Sequence, residues 1–350
     1  MSSGQSKTDQ KDLGVALVGY GFAGKTFHAP LISVTPGLQL RKVVSQDAGK
    51  VHADFPETNV VAYLGAVLTD PDIDLVVIAT PNALHAPQAH AALEAGKHVV
   101  VDKPFAATLE EAQSVTAHAE RAGRVLSVFQ NRRWDGDFLT LRRLIATGEL
   151  GAVRHFESHF DRFRPDLRNR WRERAEPGSG LWFDLGSHLL DQALQLFGRP
   201  QAIYADFAMQ REGSETTDYF HVLLRYPESR AMLHASVLVP DGRLRFAVHG
   251  TKGSFITQGL DGQENLLKTG LRPGSADWRH DAEPGTLTPG AGNSRQVAIE
   301  PGDYCAYYSQ IRDCLNGQGP NPVPPSQALE TMELLTIAAR SAAEGREIAC

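Results

Sequence analysis

The chain has 350 residues, 42% hydrophobic and 22% charged, ordinary for a soluble globular protein and long enough for two domains with their own cores. Its 41 acidic against 35 basic residues leave a net charge of −6, which argues against a grip on nucleic acid or an anionic membrane and favours a small-molecule partner. Cys305, Cys314 and Cys350 are too few and too badly spaced for a disulfide framework or a cysteine zinc site, a usage that suits the reducing cytoplasm.

Residues 1–12 are polar and read as a disordered tail, with neither the apolar core nor the cleavage site of a signal peptide. No later apolar run approaches the ~18 residues of a membrane span. From Leu13 to about residue 131, short apolar runs alternate with longer amphipathic segments. The runs are LGVALVG, LQLRKVVS, IDLVVIAT, KHVVVDK and RVLSVFQ. Continuous apolarity is what strands buried on both faces need, and strand–helix alternation predicts a doubly wound parallel Rossmann sheet over 13–131. Residues 132–350 read as an α+β domain for substrate binding and oligomerisation. There VRHFESHFDRF, IYADFAM, YFHVLLRY, AMLHASVLV, LRFAVHG and GSFIT follow one another with brief turns, which predicts a large, mainly antiparallel open sheet. One helix is expected from about Phe183 to Phe197 and two more near Asp303–Leu315 and Ser326–Glu344. Residues 259–300, rich in Gly, Pro and Asn, are expected to form long loops.

GYGFAG follows the first strand and opens a helix, the placement a dinucleotide fingerprint requires. Gly19 would make the tight turn, Gly21 would admit a pyrophosphate to the backbone, and Gly24 would allow close helix–strand packing. Phe22 and Ala23 lie between them. At the end of the second strand Ser45 and Gln46 stand where an acid would bind the ribose hydroxyls of NAD. Ser45 with Lys50 could hold a 2′-phosphate, so NADP is favoured over NAD. The third and fourth runs end in ATPNALH and VVVDKP, which places Thr80, Pro81, Asn82, His85, Asp102 and Lys103 at the crevice beyond the strand ends. Pro104 stops the strand just after Lys103, and a cis peptide there would fix the direction of the lysine.

In GSGLWFDLGSHLLDQALQLFG, Asp184, His188 and Asp191 share one helical stripe. A histidine one turn from a carboxylate suits a general base. The same stripe also fits a metal-dependent sugar isomerase or hydrolase, or a helix with a half-buried polar residue and no chemistry. No other ligand cluster is visible, and no resident metal is expected.

Together, GYGFAG, TPNALHAPQAHAALEAGKHVVVDKP and GSGLWFDLGSHLLD, in this order, resemble the Gfo/Idh/MocA family of glucose-fructose oxidoreductases and inositol dehydrogenases over nearly the whole chain. The resemblance implies an NAD(P)-dependent oxidoreductase with Lys103, Asp184 and His188 as its catalytic group. It also implies Asn82 and His85 at the nicotinamide side and a homodimer or homotetramer built on the open sheet. Asp102 stands where the family more often has glutamate. NRRWDGDF, residues 131–138, resembles the NADP-dependent scyllo-inositol dehydrogenase subgroup, which suggests a sugar or cyclic polyol as substrate. Asn131 is then expected at the cofactor, and Arg133, Asp161, Arg164 and Trp171 at the substrate. A dinucleotide-binding sensor without turnover is the alternative outside enzymes.

Overall fold

A computed structural model describes residues 12–167, 173–175, 178–279 and 282–350. The expected tail lies outside these residues except for Asp12. The first sheet is wholly parallel, with β1 (Leu13–Val18), β2 (Leu38–Val44), β3 (Asn59–Val61), β4 (Leu75–Ile78), β5 (His98–Val101) and β6 (Leu126–Val128) in the order 3-2-1-4-5-6. Every residue of β4 is buried, as expected of a central strand sandwiched between helices. The order reverses between β1 and β4, so the crevice above their carboxyl ends is the ligand position of such a sheet.

The second sheet holds nine strands in the order 14-13-12-11-7-10-9-8-15. They are β7 (Val153–His159), β8 (Ala202–Ala208), β9 (Tyr219–Arg225), β10 (Arg230–Ser236), β11 (Leu244–Gly250), β12 (Gly253–Gln258), β13 (Gly285–Pro289), β14 (Arg295–Val297) and β15 (Ile348–Ala349). The sheet is mixed, because β7 and β10 pair in parallel while the other pairings are antiparallel. Helices Ser187–Phe197 and Pro325–Glu344 contribute Leu189, Leu190, Ala193, Leu334, Leu335 and Ala338 to its core, together with Phe156, Phe220 and Leu224 of the strands.

Two expectations change. Residues 259–300 are not all loop: the helix Gln263–Lys268 and strands β13 and β14 lie within them. These strands bury little beyond Leu287 and Val297 and are held by their backbone ladder, so apolar periodicity could not reveal them. The chain also returns to its first half. Tyr304, Tyr307 and Tyr308, at the helix Cys305–Leu315, pack with Phe27, His28 and Phe129 in the Rossmann core.

Candidate active site

The three glycines of the fingerprint do different work. Gly19 has φ +97°, and a Cβ there would lie 2.7 Å from the Ala79 carbonyl oxygen. A Cβ on Gly24 would lie 2.1 Å from the carbonyl oxygen of Gly19, so helix and turn touch backbone to backbone. Around Gly21 a Cβ would meet nothing within 4 Å. Chain packing therefore explains Gly19 and Gly24 but not Gly21, and the open space at Gly21 beside a helix N-terminus fits a dinucleotide pyrophosphate. Phe22 is 54% exposed at the same turn.

At the end of β2, Ser45, Gln46 and Lys50 are together at the surface. The Ser45 hydroxyl accepts from the Asp47 backbone N–H at 3.1 Å, and Gln46 donates to the Ala62 carbonyl at 2.6 Å. Asp47 Oδ1 accepts from the Lys50 backbone N–H at 2.9 Å and caps the short helix Ala48–His52. The acid nearest the strand end is thus occupied locally.

Beyond β4, Thr80 Oγ1 donates to Gln88, and both ring nitrogens of His85 face backbone carbonyls, of Pro104 at 2.8 Å and Thr80 at 2.9 Å. His85 is buried and joins the turn after β4 to the turn after β5. Asn82, after Pro81, has a buried Nδ2 with no hydrogen-bond partner among the described residues. Beyond β5, the Lys103–Pro104 peptide is cis. Asp102 Oδ1 accepts the Lys103 backbone N–H at 2.9 Å. Burial alone would raise the Asp102 carboxyl, but facing His28, His85 and Lys103 hold it below the usual carboxylate range.

The decisive contact crosses between the two halves. Lys103 Nζ donates to Asp184 Oδ1 at 2.9 Å and to the Asp184 carbonyl at 2.8 Å. Asp184 sits in a π-helical turn, Trp182–Gly186, that leads into the helix of His188. A Cβ on Gly186 would lie 2.1 Å from the Trp182 ring, whose Nε1 donates to the Leu335 carbonyl at 3.0 Å. The indole thereby anchors the turn that aims Asp184; such wide turns recur at functional sites. One turn on, His188 is buried and its Nδ1 has no hydrogen-bond partner among the described residues. Burial, then the charges of Lys103 and Arg132, push its pKa well below the ordinary histidine value, so the ring is a neutral base at pH 7.

Lys103, Asp184 and His188 line one cleft of about 450 Å³ with Phe22, Ala23, Asp102 and Asn131. Arg162 and Arg164 enter from the other side. Burial, and then Arg164, bring the Arg162 guanidinium down to about 10. Glu264 and Lys268 complete the wall: Arg132 donates to Glu264 at 2.6 Å, and burial of that carboxyl is outweighed by Arg132 and Lys268, which hold it at about 2. Sequence reading missed both because they lie in the supposed loop, although QENLLK carries an i,i+4 Glu–Lys helix signal.

Two expected substrate contacts are placed otherwise, and a third lies outside the described residues. Arg133 is buried and forks onto Asp191, with Nε at 2.8 Å and a terminal nitrogen at 2.6 Å, and also donates to Gln327. It is a structural clamp, and its neighbour Arg132 takes the cleft position. The same pair removes Asp191 from any metal-binding stripe with Asp184 and His188. Asp161 faces away: inward Phe156, Ser158 and Phe160 put it, by the period-2 alternation of a strand, on the opposite surface of the sheet. Trp171 lies outside the described residues.

A glycine cradle above a parallel sheet, facing a lysine–carboxylate pair and a buried neutral imidazole, defines a dehydrogenase or reductase with an NAD-binding Rossmann domain. The chain belongs to the Gfo/Idh/MocA oxidoreductase family: residues 13–130 match its NAD-binding Rossmann fold and residues 142–350 its C-terminal alpha/beta domain. It is 54% identical to the uncharacterized oxidoreductase YdgJ of Escherichia coli, over 94% of this chain and 96% of that one. It is 38% identical to the scyllo-inositol 2-dehydrogenase (NADP(+)) IolW of Bacillus subtilis, over 99% of this chain and 97% of that one. The solved structure of the Yersinia pestis oxidoreductase YPO2259 superposes with a TM-score of 0.94 at 51% identity, covering 97% of each chain.

Proposed function

We propose that the protein oxidises a secondary alcohol of a sugar or cyclic polyol with NADP, or runs the reverse reduction. The observation that carries this reading is the Lys103–Asp184 contact, which sets an ammonium beside a neutral buried histidine in one cleft with the glycine cradle. In the oxidation, His188 accepts the hydroxyl proton while the carbinol C–H bond breaks with its electron pair. Lys103 donates a hydrogen bond to the substrate oxygen as its charge grows, and Asp184 fixes the direction of Lys103 and accepts from a neighbouring hydroxyl. Bound nicotinamide would supply the hydride acceptor. Gly21, Phe22, Ala23, Asn82, Asp102 and Asn131 are the groups that would hold it.

The preference for NADP rests on the end of β2. Asp47 is engaged as a helix cap, whereas the exposed Lys50 offers a cation to a 2′-phosphate and the Ser45 hydroxyl, which donates to the Asp47 carbonyl at 3.2 Å, would turn from it to the phosphate. IolW, the relative named as NADP-dependent and as acting on scyllo-inositol, supports both the cofactor and the substrate class. We further propose a homodimer or homotetramer as the working form. The test is a screen of inositols, neutral aldoses and sugar acids with each cofactor, read at the nicotinamide absorbance band. Turnover with a polyol or sugar, faster with NADP than NAD, is expected. Tight NADP binding without turnover on any of them would instead leave a dinucleotide sensor.

A further inference from the structure

The face of the second sheet opposite the cleft carries its own chemistry. Strand β7 and the residues after it put His155, Glu157, His159 and Asp161 on that face, and the parallel register pairs His159 with His234 of β10. The antiparallel register then sets His221 of β9 beside His234. None of these residues touches the proposed dehydrogenase chemistry.

Asp161 lies between two rings. Its Oδ2 is 3.6 Å from His159 Nδ1, and its Oδ1 is 3.4 Å from His234 Nε2. Both separations exceed the ordinary hydrogen-bond range of about 2.7–3.2 Å. They are close to the roughly 3.3 Å between neighbouring ligands of a tetrahedral zinc ion whose bonds are about 2.0–2.1 Å long. The ligand atoms of all three residues lie within 4.8 Å of one another.

The surrounding contacts accommodate the tautomers that a metal needs. In the neutral ring, His159 Nε2–H donates to Glu157 Oε2 at 3.0 Å, which turns the Nδ1 lone pair toward Asp161. His234 Nδ1 faces His221 Nδ1 at 3.4 Å. With the proton on His234 Nδ1, its Nε2 also turns a lone pair to Asp161. Two lone pairs and a carboxylate then converge, an arrangement that repels itself without a cation. Asp161 is oriented as well, since its Oδ1 accepts the Ser236 backbone N–H at 2.9 Å. Side-chain exposures of 16% for His159 and His234 and 8% for Asp161 make this a sheltered donor set. The His90–His118 pair differs, because its nearest carboxylate, Glu94, is 83% exposed.

We propose that His159, Asp161 and His234 form a site for a divalent transition ion of the zinc class, joining β7 to β10, with Glu157 as the carboxylate behind His159. Imidazole nitrogens with one carboxylate suit zinc or cobalt rather than magnesium or calcium, and three protein ligands leave a fourth position for water.

Untagged full-length protein, stripped with chelator and desalted, is titrated with Co²⁺ alone and then with Zn²⁺. One Co²⁺ per chain is expected, with the visible absorption of a four- or five-coordinate ion that Zn²⁺ bleaches. His159→Gln and His234→Gln should each abolish the band. Glu157→Gln should weaken binding by about 10–100-fold, as loss of an outer carboxylate does. His118→Gln should leave it unchanged. Far-ultraviolet dichroism and melting of the metal-free variants check that each is folded. A wild-type titration indistinguishable from that of the folded His159→Gln/His234→Gln double variant overturns the proposal and leaves protons as the only cations on these rings. A band lost in His118→Gln but kept in His159→Gln also overturns it, by placing the metal on the Rossmann domain.

Discussion

At Lys103 and His188 the same neighbourhood has two consequences. The ammonium proposed to stabilise a developing oxyanion also helps to keep His188 neutral. Lys103→Ala should therefore lower kcat by about 10²–10³, the usual effect of losing one oxyanion donor, with NADP affinity nearly unchanged; steady-state kinetics and fluorescence titration separate the two. A rise in KM alone would remove Lys103 from the chemical step. Burial and the two cations move the ionisation of His188 below the ordinary histidine value. The oxidation rate should hence stay flat as the pH falls through the ordinary histidine range, where an unshifted imidazole would titrate, and fall only well below it, where the imidazolium forms. In the reverse direction the rate should climb as the pH falls through the same region, and His188→Asn should erase both limbs. Arg133 and Asp191 belong to stability instead. Breaking a buried, bidentate pair by Asp191→Ala should cost about 3–5 kcal/mol, read by urea denaturation, because it strands a buried guanidinium.

The glycine turn separates packing from binding within one element. Gly24→Ala drives a Cβ into the Gly19 carbonyl and should destabilise the protein by about 1–3 kcal/mol. Gly21→Ala meets no protein atom, so melting should be unchanged while NADP affinity falls; equal losses of both properties in the two variants would break the distinction. This division, like the main strands and the helix of His188, was legible in the sequence because each element repeats an apolar or glycine pattern of its own. The β3 edge, β13, β14, β15 and the helix Gln263–Lys268 were not: β3, β13 and β14 bury few side chains and rest on a backbone ladder, while β15 and the helix depend on partners far along the chain. Arg132 and Arg133 are adjacent, and only the observed 3-10 turn Asn131–Trp134 decides which enters the cleft. Asp161 is a different case. Counting outward from Phe156 and Phe160 would have put it on the far face, whereas its meeting with His234 depends on the parallel β7–β10 register, which no local pattern announces.

For the whole molecule, the two faces of the second sheet have unequal surroundings. One is packed against helices Ser187–Phe197 and Pro325–Glu344. The other presents a lateral row set by the strand register: Tyr204 beside Leu223, Leu223 beside Met232, Met232 beside Glu157, and Ile256 beside Ala247. Tyr204 is 43% and Ile256 38% exposed, far more than residues on the helical face. A row spanning several strands, apolar except for Glu157, can pack on its own copy when a two-fold axis runs parallel to the sheet, in the plane between the two faces. A stable contact needs about 800 Å² per partner, and a sheet of nine strands can offer that where one helix face could not. Sedimentation velocity at micromolar concentration should consequently give a dimer or tetramer. Tyr204→Asp with Ile256→Asp should shift it to monomer, since like charges would face each other across the axis, while the fold of each chain persists by circular dichroism. An unchanged sedimentation coefficient in the double variant would move the interface elsewhere. A wild-type monomer would mean that this face is covered by water alone, with its histidines and carboxylates supplying enough polarity to keep the row solvated.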